Sequence, residues 1–454
     1  MNFEISEWQL ESGVVNHSCR ILDTLRFLSE PSFVSLQHSM KIAVLLSGGV
    51  DSSVALHLVK KEGHRDITAF YLKIWLEDEL SYLGSCPWEE DLQYARAVCD
   101  TAGVPLEIVS MQTEYQERIV ACSLDELRQG RTPSPDILCN QRIKFGLFFE
   151  RIDPSFDKIV TGHYAQIEET GGVISDPNRV PQPSDLPTNR PTPTPPRRGA
   201  LSVPFLGGVG VGSESSCARE VRSGLSLVLG DDKSRVPTFL LKRSPDPVKD
   251  QTYFLSTLDQ RQLRRLWFPI GHLTKPEVRK LAHELDLPNR ERKDSQGICF
   301  LGKIKYPEFI RYHLGEKLGE IIEIETGRKL AEHRGYWFHT VGQRKGLGLG
   351  GGPWYVVKKD VEANRVYVAH SNHYLDHAKK QFTVNPVHWI AGEPAQTSLQ
   401  TKVRHSPHLE KCQIRCLGEQ RWEVTLTEKD QGIASGQSAI FYDAEICLGG
   451  GVIE

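Results

Sequence analysis

No stretch of about 18 consecutive apolar residues occurs in the chain, so no membrane-spanning helix is expected. No Gly-Lys-Ser/Thr follows a glycine-rich loop, which excludes a Walker A phosphate site. Cysteine is present but never as CxxC. Ten cysteines are scattered along 454 residues, too thinly for a secreted disulfide scaffold and without zinc-ligand spacing. Cys412 and Cys416 read as packing residues in a strand. Reduced thiols in a cytosol-like compartment are the consistent reading. There is also no excess of positive charge: a formal net charge of -3 excludes a uniformly basic nucleic-acid binder, though not a local basic face. What remains, 39% hydrophobic and 25% charged residues, describes a globular chain long enough for two or three domains.

Residues 1–39 read as an N-terminal extension. Glu4, Glu7, Glu11, Asp23 and Glu30 stand against Arg20 and Arg26, whereas organellar presequences are basic and poor in acids. Met40 directly precedes the first clear strand. The extension is an atypical presequence or a dispensable arm, which leaves open an organelle (mitochondrion or plastid) if the source is eukaryotic, or else the cytoplasm.

KIAVLL (41–46), SGGVDS and SVALHLVKKEG form a strand, a glycine-rich loop and a helix. Residues 66–75 and 106–111 read as further strands, 89–102 as a helix closed by Gly103, and KIVTGHYA (158–165) as another strand. Alternation of this kind predicts an α/β domain with a parallel sheet over 40–304. A Pro-, Ser- and Thr-rich tract over 168–235 cannot bury a core and is expected to be a disordered insertion. Glycine-punctuated short apolar runs predict a small β-rich central domain over 305–377, then a C-terminal β-barrel over 378–454.

The loop at 47–53 carries the first chemistry. Gly48 and Gly49 let backbone approach an anion, and free N–H groups at the helix start favour negative charge. Ser47, Ser52 and Ser53 add hydroxyls, and Asp51 suits a Mg²⁺ bridging to phosphate. A plain turn with Ser52 as helix cap is the bland alternative, but the full SGGxDS after a strand is more specific. The motif resembles the PP-loop of ATP pyrophosphatases of adenine nucleotide alpha hydrolase-like fold, which make adenylated intermediates.

Two cysteines sit in polar, turn-rich settings, PSPDILCNQRIKF (133–145) and KDSQGICFLG (293–302). Arg142 and Lys144 follow Cys139, and Arg292 and Lys293 precede Cys299; such cations are expected to favour the nucleophilic thiolate. In order, SGGVDSSVAL, SPDILCNQRIKFG, TGHYA, KDQTYFL, DSQGICFLG, HTVGQRKGLGLGG and GQSAIFYDAEICLGGGVI make the chain similar to the tRNA-specific 2-thiouridylases from about Met40 onward, the insertion excepted.

The resemblance implies ATP-dependent adenylation of a wobble uridine C2 oxygen, then sulfur transfer from a cysteine persulfide. It implies Cys299 as the persulfide carrier, loaded by a donor protein. Cys139 is then the nucleophile, pairing with Cys299 as a disulfide afterwards. Leu45, Leu46, Ser47, Gly48, Gly49, Val50, Asp51, Ser52, Leu72 and Gly162 match nucleotide-binding positions, with Asp51 also a catalytic and Mg²⁺ position. Ser134, Pro135 and Asp136 match the segment meeting the target base. His163, Lys249, Asp250, Gln251, Arg404, His405 and Gln437 match tRNA contacts. Leu72 stands where methionine is frequent, and Ser134 replaces the commoner Asn. Expected partners are ATP with Mg²⁺, the anticodon arm of tRNA and a sulfur donor, acting on a monomer. Basic clusters at Arg261/Arg264/Arg265, Arg290/Arg292/Lys293, Arg344/Lys345 and Lys402/Arg404 are the expected phosphate contacts. A competing reading, a PP-loop synthetase adenylating a small molecule, leaves the paired cysteines and the C-terminal barrel without a purpose.

Overall fold

The computed structural model describes residues 40–74, 88–170, 238–294 and 305–454. The extension at 1–39, most of the predicted insertion and Cys299 lie outside these residues.

Strand β1 (Ile42–Leu45) is apolar throughout because both of its faces are covered, as parallel strands in α/β proteins require. Ile42 and Val44 join one core with Val54 and Val59 of helix α1 (Val50–Lys61) and Ala95 and Val98 of α2 (Trp88–Ala102). Ala43 and Leu45 point the other way, into a core with Ile119, Phe148 and Ile159. Gly103 ends α2 at φ +62°, a left-handed position that favours glycine. The sheet is parallel in the order β3-β2-β1-β4-β7, with β2 Ile67–Lys73, β3 Leu106–Ser110, β4 Lys158–Val160 and β7 Leu266–Trp267.

The strand predicted over 158–165 stops at Val160. After it the chain turns: Thr161 N–H donates to the Trp267 carbonyl (3.1 Å) and Tyr164 N–H to Gln251 Oε1 (2.9 Å). A different strand, β5 (Ala165–Thr170), follows and pairs with β6 (Thr238–Arg243). Strand β5 therefore claims the first residues assigned to the insertion. Through β6, this hairpin joins the sheet of the C-terminal barrel at Ile446↔Lys242 and Cys447↔Leu241.

The central region is a four-stranded sheet ordered β10-β11-β8-β9 (Trp354–Asp360, Arg365–His370, Gly319–Glu323, Lys329–His333). The barrel comprises β12 (Lys379–Trp389), β13 (Ser398–Lys402), β14 (Glu410–Gly418), β15 (Arg421–Asp430), β16 (Ser438–Asp443) and β17 (Ile446–Ile453). It closes because β12 pairs with both β15 and β17. Of the two β14 cysteines, Cys412 is buried as expected, whereas Cys416 is exposed near the strand end. One buried ion pair fastens the barrel to the α/β domain: Lys402 Nζ lies 2.9 Å from Asp250 Oδ2, both side chains wholly buried. Among the described residues no helix is long and apolar enough to cross a membrane.

Candidate active site

The loop after β1 is built from its own side chains. Ser52 Oγ donates to the Gly49 carbonyl (3.1 Å) and accepts from Ser47 N–H (3.2 Å), drawing the loop into a ring. Gly48 takes φ +74°, and a Cβ there would lie 2.1 Å from the Asp91 carbonyl oxygen, so only glycine fits. Helix α1 begins after Gly49 without a side-chain cap from the described residues. Ser52 is thus a first-turn residue rather than the cap, and the helix start is available to an anion. From outside the motif, Asn289 Nδ2 (2.8 Å) and Arg292 Nη1 (3.0 Å) donate to the Gly48 carbonyl. Gly162 closes the far side: a Cβ there would stand 2.6 Å from Ser52 N.

Leu45 and Leu46 are buried and hold the loop from beneath, while Leu72 is partly buried at the end of β2. The Asp51 carboxylate accepts from Tyr164 Oη (2.8 Å) and from Lys275 Nζ (2.6 Å). Neither partner was singled out from sequence. Among the described residues no three His, Cys, Asp or Glu gather as a metal cage. Asp51 alone fits Mg²⁺ only as such ions accompany nucleotides, held mostly by phosphates and water with one or two carboxylates.

Cys139 ends the short helix α3 (Pro135–Cys139) and is a free thiol, 1% exposed. Burial pushes the thiol up. The Lys144 ammonium opposes that, the Asp136 carboxylate adds to it, and the Tyr115 hydroxyl works against it. The expectation that Arg142 and Lys144 together favour the thiolate is corrected. Arg142 instead donates to the Arg118 carbonyl and to Cys122 Sγ, each at 3.2 Å, and desolvation outweighs what Lys144 supplies. Cys122 is disulfide-bonded, against the expectation of uniformly reduced thiols. Arg292, expected to act on Cys299, holds Gly48 and pairs with Asp91.

The Lys144 charge acts on both Cys139 and His163. His163 adjoins Gly162, which rests on Ser52. The imidazole packs between Phe145 and Phe268 (ring centroids 5.7 and 5.8 Å), and burial, with Lys144 adding, holds its pKa well below the usual value. It is a neutral packing residue that touches the Thr161 hydroxyl at 2.7 Å.

A cavity of about 400 Å³ opens where the α/β domain, central region and barrel meet. Ser134, Pro135, Asp136, Arg404, His405 and Gln437, six positions singled out from sequence, all line it. Aromatic walls that the sequence did not reveal come from Phe254 and Trp337. Phe254 lies 4.6 Å from the His405 ring with the planes tilted by 35°, an aromatic pair against which a flat ring can stack. Trp337 Nε1 and Gln437 Oε1 are buried there with no hydrogen-bond partner among the described residues. His163, Lys249, Asp250 and Gln251 are not among the walls. Asp250 in particular is wholly buried, and its carboxylate is held by Lys402, Arg243 and Thr252, so its side chain cannot reach RNA. Gln251 holds Tyr164, and Lys249 pairs with Asp294 at 2.7 Å. Lys402 likewise leaves the expected basic face, while Arg404 stands at the cavity paired with Asp430.

Comparison with known proteins matches three family models in succession. These are the tRNA methyl transferase HUP domain over 40–184 and 230–303, the tRNA methyl transferase PRC-barrel domain over 307–370, and the aminomethyltransferase beta-barrel domain over 379–453. The chain is 39% identical over 421 residues to the tRNA-specific 2-thiouridylase MnmA 1 of Bacteroides thetaiotaomicron, covering 91% of this chain and 99% of that one. It is 38% identical to the MnmA of Parabacteroides distasonis, with the same coverage. It is 37% identical over 425 residues to that of Porphyromonas gingivalis, again covering 91% and 99%. Among solved structures, the U34-tRNA thiolase NcsA of Methanococcus maripaludis overlaps 28% of this chain and 40% of its own, at 18% identity and a TM-score of 0.20, too little to argue from.

Proposed function

The chain belongs to the tRNA-specific 2-thiouridylase family and is an ATP-using tRNA uridine 2-sulfurtransferase, and from that premise we propose how its residues divide the work. Its relatives act on tRNA, which removes the small-molecule synthetase alternative.

ATP lies on the loop 47–52 with its phosphates at the uncapped start of α1 and its adenine against Leu72. Asp51 would hold a Mg²⁺ brought with the nucleotide, and the ion would supply neutralisation of phosphate charge. The wobble uridine leaves its stack, as a base must to reach chemistry held in a pocket. It enters the cavity, where Phe254 and His405 offer a stacking face and Ser134 to Asp136 meet its edge. The uridine C2 oxygen is adenylated, which converts it into part of an AMP leaving group. Sulfur carried by Cys299 from a donor protein then replaces it, with Cys139 as the nucleophile that completes the exchange and pairs with Cys299. A buried, high-pKa Cys139 fits a thiol that stays protonated and quiet until substrate rearranges its surroundings.

One observation carries the reading: the six target-base and tRNA positions line one cavity, and its wall at Ser134–Asp136 runs within a single helical turn into Cys139. The test is reconstitution. Full-length protein, unmodified tRNA, ATP and a persulfide donor are expected to give 2-thiouridine, detected by mass spectrometry of nucleosides. Thiolation that proceeds equally well without ATP contradicts the reading.

A further inference from the structure

Lys275 belongs to no motif recognised in the sequence, yet its ammonium stands at the mouth of the nucleotide loop. It begins helix α4 (Lys275–Glu284), which packs along α1 and is fixed at its start by a capping box between Thr274 and Glu277. The Lys275 backbone N–H donates to Asp246 Oδ2 (3.0 Å), which fixes where the side chain sets out. The side chain is 12% exposed; Nζ lies 2.6 Å from Asp51 Oδ1 and 2.8 Å from Asp294 Oδ1, above the Tyr164 ring.

Asp294 also receives Lys249 and Arg279. Burial acts to raise its carboxyl, but the ammonium groups of Lys249 and Lys275 outweigh that and hold it well below the usual carboxylate range. Three cations, Lys249, Lys275 and Arg279, therefore gather with Asp51, Asp246 and Asp294 beside a helix start with no side-chain cap from the described residues. Of the three cations, Lys275 is the one that touches a loop residue.

The sheet order says which end of the nucleotide it faces. Leu72 lies on β2, to one side of β1. Tyr164 follows β4, to the other side, and Lys275 sits over Tyr164. With adenine on the Leu72 side, the β- and γ-phosphates extend toward Lys275.

We propose that Lys275 is a catalytic residue that binds the departing pyrophosphate, giving up one carboxylate for a phosphate oxygen when ATP enters. In the step it serves, the uridine C2 oxygen forms a bond to the α-phosphorus. The bond from that phosphorus to the oxygen bridging to the β-phosphorus breaks, its electron pair leaves with pyrophosphate, and the uridine N3 proton passes to solvent. Charge grows on the bridging oxygen as the bond breaks, and a fixed ammonium there stabilises the transition state more than the ground state.

The inference rests on the nucleotide reading of 47–53, and the test separates the two. Pyrophosphate release is followed with full-length protein, ATP and tRNA. Lys275→Met is expected to slow release by on the order of 10²-fold, the usual effect of losing one preorganised charge donor. The tRNA KM and the affinity for AMP, which has no pyrophosphate, are expected to stay within threefold, and Lys275→Arg to recover part of the rate. If Lys275→Met does not fold because Asp51 and Asp294 lose their cation, Lys275→Met/Asp294→Asn removes the charges together and is expected to show the same loss of rate with AMP binding kept. Release within threefold of wild type by either folded methionine variant overturns the assignment of Lys275 alone. Absence of ATP-dependent pyrophosphate release from the wild-type protein overturns the nucleotide reading beneath it.

Discussion

Replacing Gly162 by alanine adds one carbon atom where the turn after β4 meets the first turn of α1. The new Cβ would stand 2.6 Å from Ser52 N, 2.7 Å from the Asp51 carbonyl carbon and 2.8 Å from Ser52 Cα. All three are backbone atoms of the first turn of α1, so no flexible side chain can swing aside. Relief of the tightest of these to an ordinary contact of about 3.5 Å moves either α1 or the turn after β4 by roughly 0.9 Å. Overpacking of this kind costs about 1–3 kcal/mol of stability. A shift near 1 Å in a positioning element costs on the order of 10²-fold in rate. ATP affinity, read by titration with a fluorescent analogue, is expected to fall at least tenfold while tRNA affinity holds. Thermal melting on the same preparation reports the stability loss. Unchanged ATP affinity in a folded Gly162→Ala protein would refute the placement of phosphate at the start of α1.

Three further outcomes follow from other parts of the molecule. Lys402→Met strands the Asp250 carboxylate, with Arg243 remaining at 3.4 Å, and is expected to cost about 3 kcal/mol, the lower end for a broken buried pair; a loss under about 1 kcal/mol by urea titration contradicts the strap between barrel and α/β domain. Residues 170 and 238 are register partners, with Thr170 Oγ1 donating to the Thr238 carbonyl (3.2 Å). Exchanging 171–237 for Asn-Gly therefore leaves a hairpin that closes itself, expected to retain activity and melt no lower than the parent, whereas loss of turnover with a folded core refutes an inessential insertion. His339, pushed down to about 4 by burial with His333 and Lys359 adding, takes its proton later than the unfolded chain does. Its contribution is whole above the ordinary value of 6.5 and declines below it, by about 2 kcal/mol at pH 5. His339→Gln should flatten the acid limb of stability against pH, and an unchanged limb contradicts that origin.

The readable parts of the sequence were those whose chemistry is local. SGGVDS between a strand and a helix is a contiguous phosphate loop, and strand β1 is apolar at every position because it is buried on both faces. Short apolar runs punctuated by glycine announced the barrel strands, and the motif around Cys139 located the base-facing wall. The partners that complete the site were not legible, because they arrive from far along the chain. Tyr164 and Lys275 reach Asp51 across 113 and 224 positions, and Lys402 reaches Asp250 across 152. The environment of Cys139 was misread for a related reason. Neighbours in sequence need not share a direction on a helix: Arg142 turns toward Cys122, and burial, which sequence shows poorly, decides the thiol's pKa. The β5–β6 hairpin carries a similar lesson, since residues within the α/β domain's own sequence extend the sheet of the barrel.

The most direct measurement compares Cys139→Ser and Cys299→Ser in the reconstituted reaction, with 2-thiouridine quantified by mass spectrometry alongside tRNA and ATP binding. Both variants are expected to bind tRNA and ATP with near-parental affinity and to form no thiolated nucleoside. Near-normal product from either one would contradict the paired-thiol account.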